Sequence, residues 1–141
     1  MEYIEFKYGS DWYKKSVELR DEILRKPLGL EFTEEFLSLD KDNFHLGIVE
    51  GEKLIATLSL AIGNDYLKMR QVAVSSKIQS QGIGSKLVEY SEEFAREKGY
   101  KKIVLHARDV AKKFYLKNNY KVIGDVFYEV GIAHFKMQKE L

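Results

Sequence analysis

Val72-Ala73-Val74-Ser75-Ser76-Lys77-Ile78-Gln79-Ser80-Gln81-Gly82-Ile83-Gly84-Ser85-Lys86-Leu87 begins as a strand, passes through a polar loop and opens a helix at its two glycines. Ile83, Leu87, Tyr90 and Phe94 then recur at helical spacing until Gly99 stops them. Gly82 and Gly84 let backbone N–H groups turn into the loop with no Cβ in the way. Joined to the orphan donors of a helix's first turn, such groups form an anion site. That site favours each anionic group by roughly 0.3–2 kcal/mol, and a diphosphate engages several donors together. The physical reading is phosphate binding. Two other phosphate loops do not fit. A P-loop has lysine directly after its second glycine, whereas Gly84-Ser85-Lys86 reverses the order and lacks the four-residue spacing. A dinucleotide fingerprint needs a third glycine where Leu87 stands.

Upstream of this stretch the pattern is mostly β. Tyr3 to Tyr8 alternates like a half-buried strand. Ser10-Asp11 offers a helix cap, with Trp12, Ser16, Leu19 and Ile23 on one face, and Pro27 stops that helix by Lys26. Thr33-Glu34-Glu35 starts a second short helix with acids in its first turn. Phe44 to Glu50, Leu54 to Ile62 and Tyr66 to Val74 are three strands joined at Glu50-Gly51-Glu52-Lys53 and Gly63-Asn64-Asp65, an antiparallel meander. Downstream, Ile103-Val104-Leu105 is a short strand and Val110 to Asn118 a helix with Ala111, Phe114 and Tyr115 on one side. Tyr120 to Ile123 and His134 to Gln138 close the chain as strands. Helices interleaved with strands after a meander mean a mixed sheet covered on its faces.

Composition narrows the functions. The chain has 141 residues, 45% of them hydrophobic, enough for one core and too apolar for disorder. A net charge of +1 argues against a nucleic-acid partner held by phosphate neutralisation. With no cysteine there is no disulfide, thiolate metal site or cysteine nucleophile. Three scattered histidines with no helical pair give no metal site, and His45 reads as structural. No apolar run approaches the ~20 residues of a membrane span, and no signal peptide is visible, so a cytoplasmic protein is expected.

Gln-x-x-Gly-x-Gly after a strand ending Val-Ala-Val closely resembles the GNAT superfamily of acyl-CoA-dependent N-acyltransferases. Gln79, Gly82 and Gly84 stand where its motif expects them. Phe114-Tyr115-Leu116-Lys117-Asn118-Asn119-Tyr120 resembles the family's Phe-Tyr-x-x-x-Gly-Phe stretch, and Gly131 to Met137 resembles a subgroup of small bacterial members. The resemblance implies an α/β (α+β) fold: a mixed, mostly antiparallel sheet of six to seven strands flanked by about four helices. Residues 1–141 would form one GNAT-like acetyltransferase domain. The sequence departs from the family at Ser80, often basic or glycine, at Arg108, often asparagine, and at Asn119, usually glycine.

The resemblance also implies roles. Acetyl-CoA would lie between two splayed parallel strands, Gln71–Ser75 and Ile103–Ala107. Backbone groups of Val72, Ala73 and Val74 would hold its pantetheine arm, and an N–H near Val74 would stabilise the oxyanion. Gln79, Ser80, Gln81, Gly82, Ile83, Gly84 and Ser85 would hold the pyrophosphate, with Arg108 and Lys112 completing the cofactor set. Tyr115 would protonate the departing thiolate. An alkyl ammonium, of pKa ~10.4, must lose a proton before it attacks, and His106, His134 and Glu129 are the candidate bases. The acceptor would be a small-molecule or peptide amine, selected between Arg25 and Phe32, where Arg25 and Lys26 offer to hold an acidic group. A homodimer is the expected assembly. The alternative is a CoA-binding sensor without catalysis.

Overall fold

The computed structural model describes residues 1–28, 37–78 and 81–141. Its strands are β1 (Glu2–Phe6), β2 (Phe44–Glu50), β3 (Lys53–Ile62), β4 (Tyr66–Val74), β5 (Lys102–Arg108), β6 (Lys121–Glu129) and β7 (Ile132–Glu140). They form one sheet in the order β1-β2-β3-β4-β5-β7-β6. Every neighbouring pair is antiparallel except β4 and β5. The fold is thus the mixed, mostly antiparallel sheet that the sequence implies. Three α-helices cover it among the described residues: α1 (Asp11–Arg20), α2 (Ile83–Glu97) and α3 (Lys112–Lys117). None of these is long and apolar enough to cross a membrane. The helix expected from Thr33-Glu34-Glu35 lies outside the described residues.

The meander arises as its turns dictate, with Gly51 at φ 62° between β2 and β3. β3 lies mid-sheet, so its run Leu54 to Leu60 is buried on both sides. On one face Leu87, Val88 and Phe94 of α2 pack with Leu58, Leu67, Met69, Ile103 and Leu105. On the other, Tyr13 and Leu19 of α1 pack with Phe6, Leu54 and Ala73. The closing strands are longer than the expected Tyr120–Ile123 and His134–Gln138. They pair from Lys121↔Gln138 to Glu129↔Ile132 across a bulge between Ile123 and Phe127. That irregularity, with Gly124 at φ 75°, breaks the alternation that would have revealed the longer hairpin.

The buried face of α1 also differs from the expected one. Tyr13, Ser16, Leu19 and Arg20 are buried, rather than a stripe from Trp12 to Ile23. Asp40 is the reason. Its Oδ2 lies 2.9 Å from the Arg20 guanidinium and accepts from the Tyr13 hydroxyl at 2.8 Å. Its carbonyl lies 3.0 Å from His45 Nε2, which must donate, while His45 Nδ1 sits 3.1 Å from the Ser59 hydroxyl. Burial lowers the His45 pKa and keeps the ring neutral. Arg20 is only 1% exposed, and this carboxylate is one of the partners of its buried charge. Asp40→Ala is expected to cost about 3–5 kcal/mol by urea denaturation. A loss under about 1 kcal/mol would show that the pair does not anchor α1.

Candidate active site

β4 and β5 run together for only four residue pairs, from Tyr66↔Lys102 to Met69↔Leu105. Beyond that each keeps its outer partner alone. β4 follows β3 to Val74, and β5 follows β7 to Arg108. The parting coincides with a bulge. Ser59 faces Arg70, but Thr57 faces Ala73, so Gln71 and Val72 together stand opposite Leu58. Gln71 takes φ 55°, a conformation that costs a non-glycine residue about 1–3 kcal/mol. The gap opens into a cavity of about 890 Å³.

One side of the cavity is the glycine turn. Gly82 starts α2 in the left-handed region, φ 75° and ψ 9°, and has no side chain with which to cap the helix. α2's first turn holds no acidic residue, and the N–H groups of Ile83, Gly84 and Ser85 have no acceptor within the helix. All four residues line the cavity. Gly84 serves a second purpose. A Cβ there would stand 3.2 Å from Phe114 Cζ, so its hydrogen is what lets α2 approach α3 closely. Tyr115, next to Phe114, is 7% exposed and lines the same side. Burial raises its pKa, so the phenol keeps its proton.

The other side is polar. Met69, Leu105 and Ala107 point into the core beneath α2, and strand alternation turns Arg70, His106 and Arg108 toward the α1 face. There Glu129 of β6 meets both histidines. Its Oε1 lies 3.1 Å from His106 Nδ1, and its Oε2 lies 3.8 Å from His134 Nε2. A carboxylate only accepts, so His106 Nδ1 carries the proton and Nε2 keeps the lone pair. Burial and the positive charges of Lys68 and Lys136 lower the His106 pKa, and Glu129 offsets them in part. His106 is therefore neutral near pH 7 and able to accept a proton. His134 has Nδ1 2.8 Å from the Ile132 carbonyl, to which it donates. It is attracted to Glu129 only when protonated.

The cavity brings together most of the residues singled out in the sequence. Tyr115, His106, His134 and Glu129 line it, as do Val72, Val74, Gly82, Ile83, Gly84, Ser85 and Arg108. Ala73 turns its side chain away, into the core beneath α1. Gln81 is exposed and does not line the cavity. Lys112 lies with its ammonium 4.3 Å from the centre of the Phe135 ring and is not part of the lining. Gln79 and Ser80 lie outside the described residues. The pairing of Arg25 with Lys26 does not form in the cavity. Lys26 is 3.6 Å from Asp21 and largely exposed, whereas Arg25 lines the cavity with Arg70 and Arg108. Lys68 and Arg70 were not singled out, although their i, i+2 spacing opposite Leu67 and Met69 already put both on one face.

Comparison with known proteins agrees with this geometry. The family model described as acetyltransferase (GNAT) domain matches residues 19–141. The uncharacterized N-acetyltransferase YjcF of Bacillus subtilis is 27% identical over 128 residues, 90% of this chain and 91% of its own. The fold superposes on Escherichia coli ElaA with a TM-score of 0.84 at 19% identity, over 99% of both chains. It also superposes on the PaiA N-acetyltransferase of Thermoplasma acidophilum, solved in complex with coenzyme A, with a TM-score of 0.75 at 18% identity over the whole of both.

The histidine electrostatics can be read directly. Lys68 from β4, Lys136 from β7, and Glu129 and His134 on the hairpin are the titratable groups around His106. Glu129 alone among them raises its pKa. Glu129→Gln is therefore expected to move the NMR titration of His106 further below its ordinary 6.5. An upward shift would contradict the arrangement.

Proposed function

The chain belongs to the GNAT acetyltransferase family, and from that premise we propose that it carries an acetyl group from acetyl-CoA to a primary amine by direct attack. The observation that supports this most is the single gap between β4 and β5, which connects the α2 N-terminal turn with the neutral His106–Glu129 pair. An acyl donor with a long phosphate-bearing arm fits that connection. The Gly82 turn is a cradle for its diphosphate, and the open edge of β4 meets its amide-bearing arm. Gln79, Ser80 and Gln81 on the same turn, and Lys112 beyond α3, remain further proposed contacts. PaiA, with the same fold, was solved with coenzyme A, which supports a CoA-based donor here.

In this reading His106 Nε2 takes the proton from the incoming ammonium, and Glu129 holds the ring and stabilises the imidazolium that forms. The freed amine attacks the thioester carbonyl carbon. An N–H of the open β4 edge between Gln71 and Val74 donates to the oxyanion as the tetrahedral intermediate forms. The C–S bond then breaks, and the Tyr115 hydroxyl donates to the thiolate. Burial raises the phenol's pKa, so Tyr115 still carries its proton when the thiolate forms beside it. The products are an amide and free CoA thiol, with no covalent enzyme intermediate. Only a protonated His134 would hold the second Glu129 oxygen, 3.8 Å from its Nε2.

Thiol release from acetyl-CoA, screened over amines, tests the reaction. Tyr115→Phe is expected to lower kcat about 100-fold while leaving the affinity for CoA unchanged. An unaltered kcat would remove the phenol from the mechanism. Gly82→Val forces a β-branched residue into left-handed geometry and is expected to abolish the stabilisation by CoA, about 2.7 kcal/mol at a concentration of 100 Kd in the parent. Binding without turnover for every amine would favour a CoA sensor instead.

A further inference from the structure

Among the described residues that line the cavity, five are cationic, Arg25, Lys68, Arg70, Arg108 and Lys117, and only Glu129 is acidic. Glu129 is already engaged by His106. Three of the cations converge from different elements. Arg25 ends the π-helical turn that continues α1, Arg70 sits on β4 just before the bulge, and Arg108 ends β5. Their charges are felt mutually. Burial lowers the Arg25 pKa first, and repulsion from Arg108, Arg20 and Arg70 lowers it further. Lys68 is likewise lowered by burial and by Arg70, against a weaker pull from Glu129. Arg108 is held in place by its hydrogen bond to the Leu24 carbonyl at 3.3 Å. Like charges gathered in a partly buried cavity oppose folding, and such clusters occur where function needs them.

These arginines lie on the opposite side of the sheet from the Gly82 turn. Arg70 of β4 and Arg108 of β5 project toward α1, as His106 of β5 does, whereas the diphosphate cradle is on the α2 side. They therefore lie on the proton acceptor's side of the sheet and not on that of the acyl donor's phosphates. Guanidinium groups match carboxylate and phosphate oxygens with paired hydrogen bonds. The same positive field disfavours an ammonium and so lowers the pKa of an amine held beside it, which eases its conversion to the nucleophile. A polycationic acceptor would be repelled by these guanidinium groups.

We propose that the acceptor is an amine that also carries an anionic group, a carboxylate or phosphate, received by Arg70 and Arg108 with Arg25 on the α1 side of the gap. The assignment rests on the transfer reading above, since it names the acceptor for that reaction. Arg25 is thus the specificity residue expected between Arg25 and Phe32, with Arg70 and Arg108 as its partners in place of Lys26.

The test uses the whole protein with acetyl-CoA and matched amines: β-alanine against β-alaninamide, O-phosphoethanolamine against ethanolamine, and spermidine as the cationic control. Thiol release is measured, together with the thermal shift that each amine adds in the presence of CoA. The anionic member of at least one pair is expected to have a kcat/KM about 10- to 100-fold higher, the effect of one charge-assisted hydrogen bond. Which pair responds distinguishes carboxylate from phosphate. Arg70→Gln and, separately, Arg108→Gln are expected to bring that ratio near unity. Arg70→Lys should restore part of it, and the KM for acetyl-CoA should stay within about twofold in Arg70→Gln. Turnover with no preference for the anionic members, or with spermidine preferred, overturns the anion site and leaves the transfer reaction intact. Anion-selective stabilisation without turnover overturns the transfer reaction and keeps the anion site. Neither response in any pair overturns both. A rise in acetyl-CoA KM equal to the loss for the amine would assign Arg70 to the acyl donor instead.

Discussion

Two adjacent parallel strands that stop sharing hydrogen bonds create the space on which the rest of this protein depends. Each buried backbone N–H and C=O must find a partner, so parting strands inside a fold carry a cost unless something meets the exposed edges. Here β4 and β5 each keep one neighbour, β3 and β7, and lose only the edge between them. The bulge at Gln71 turns β4 away within a single residue. What results is a polar-edged slot between two well-packed sheet halves, open on both faces. A ligand with amide groups along its length is the natural complement of such edges.

Both faces of the slot are held by buried charge. Beneath α1, Asp40 gathers Arg20, Tyr13 and His45 and fixes the helix, which positions the turn that carries Arg25. Beneath α2, Glu92 is 3% exposed and accepts from Tyr120 at 3.0 Å and Lys139 at 2.9 Å. That second network ties the helix to the segment after α3 and to β7. It anchors the body of α2 while its first turn stays uncapped at the slot. α1 is thus anchored at its last residue, Arg20, and α2 in its C-terminal half, at Glu92, while the turn after α1 and the first turn of α2 line the cavity. The hydrophobic clusters supply most of the burial, but these charged groups set where the helix ends lie.

The division of labour across the sheet follows from strand alternation. Residues with Met69, Leu105 and Ala107 belong to the core below α2, and their neighbours Arg70, His106 and Arg108 belong to the opposite side. In the proposed reaction, a donor cradled by backbone N–H groups on one side would meet the proton acceptor on the other through the gap. Glu129, brought in from β6, is the single carboxylate of that lining among the described residues, and it orients His106.

Much of this was legible in the sequence because it depends on local rules. Gly82 and Gly84 mark the strand-to-helix turn, the alternating runs mark the meander, and the Phe114-Tyr115 pair marks the helix that closes the cavity. The structure adds that Gly84 is needed for contact with Phe114 as well as for an open backbone. Other features depended on distant partners. Arg20 reads as a surface residue until Asp40, twenty positions later, takes its charge. Arg25 reads as the neighbour of Lys26 until folding sets it beside residues from β4 and β5. By itself, then, the sequence determined the order of elements, the glycine turn from strand to helix and the family. Only the tertiary structure decided which cations share a cavity, which histidine nitrogen keeps its lone pair and where the strands part. Those properties come from contacts between residues far apart in the chain, and no local pattern encodes which distant charge will be within reach.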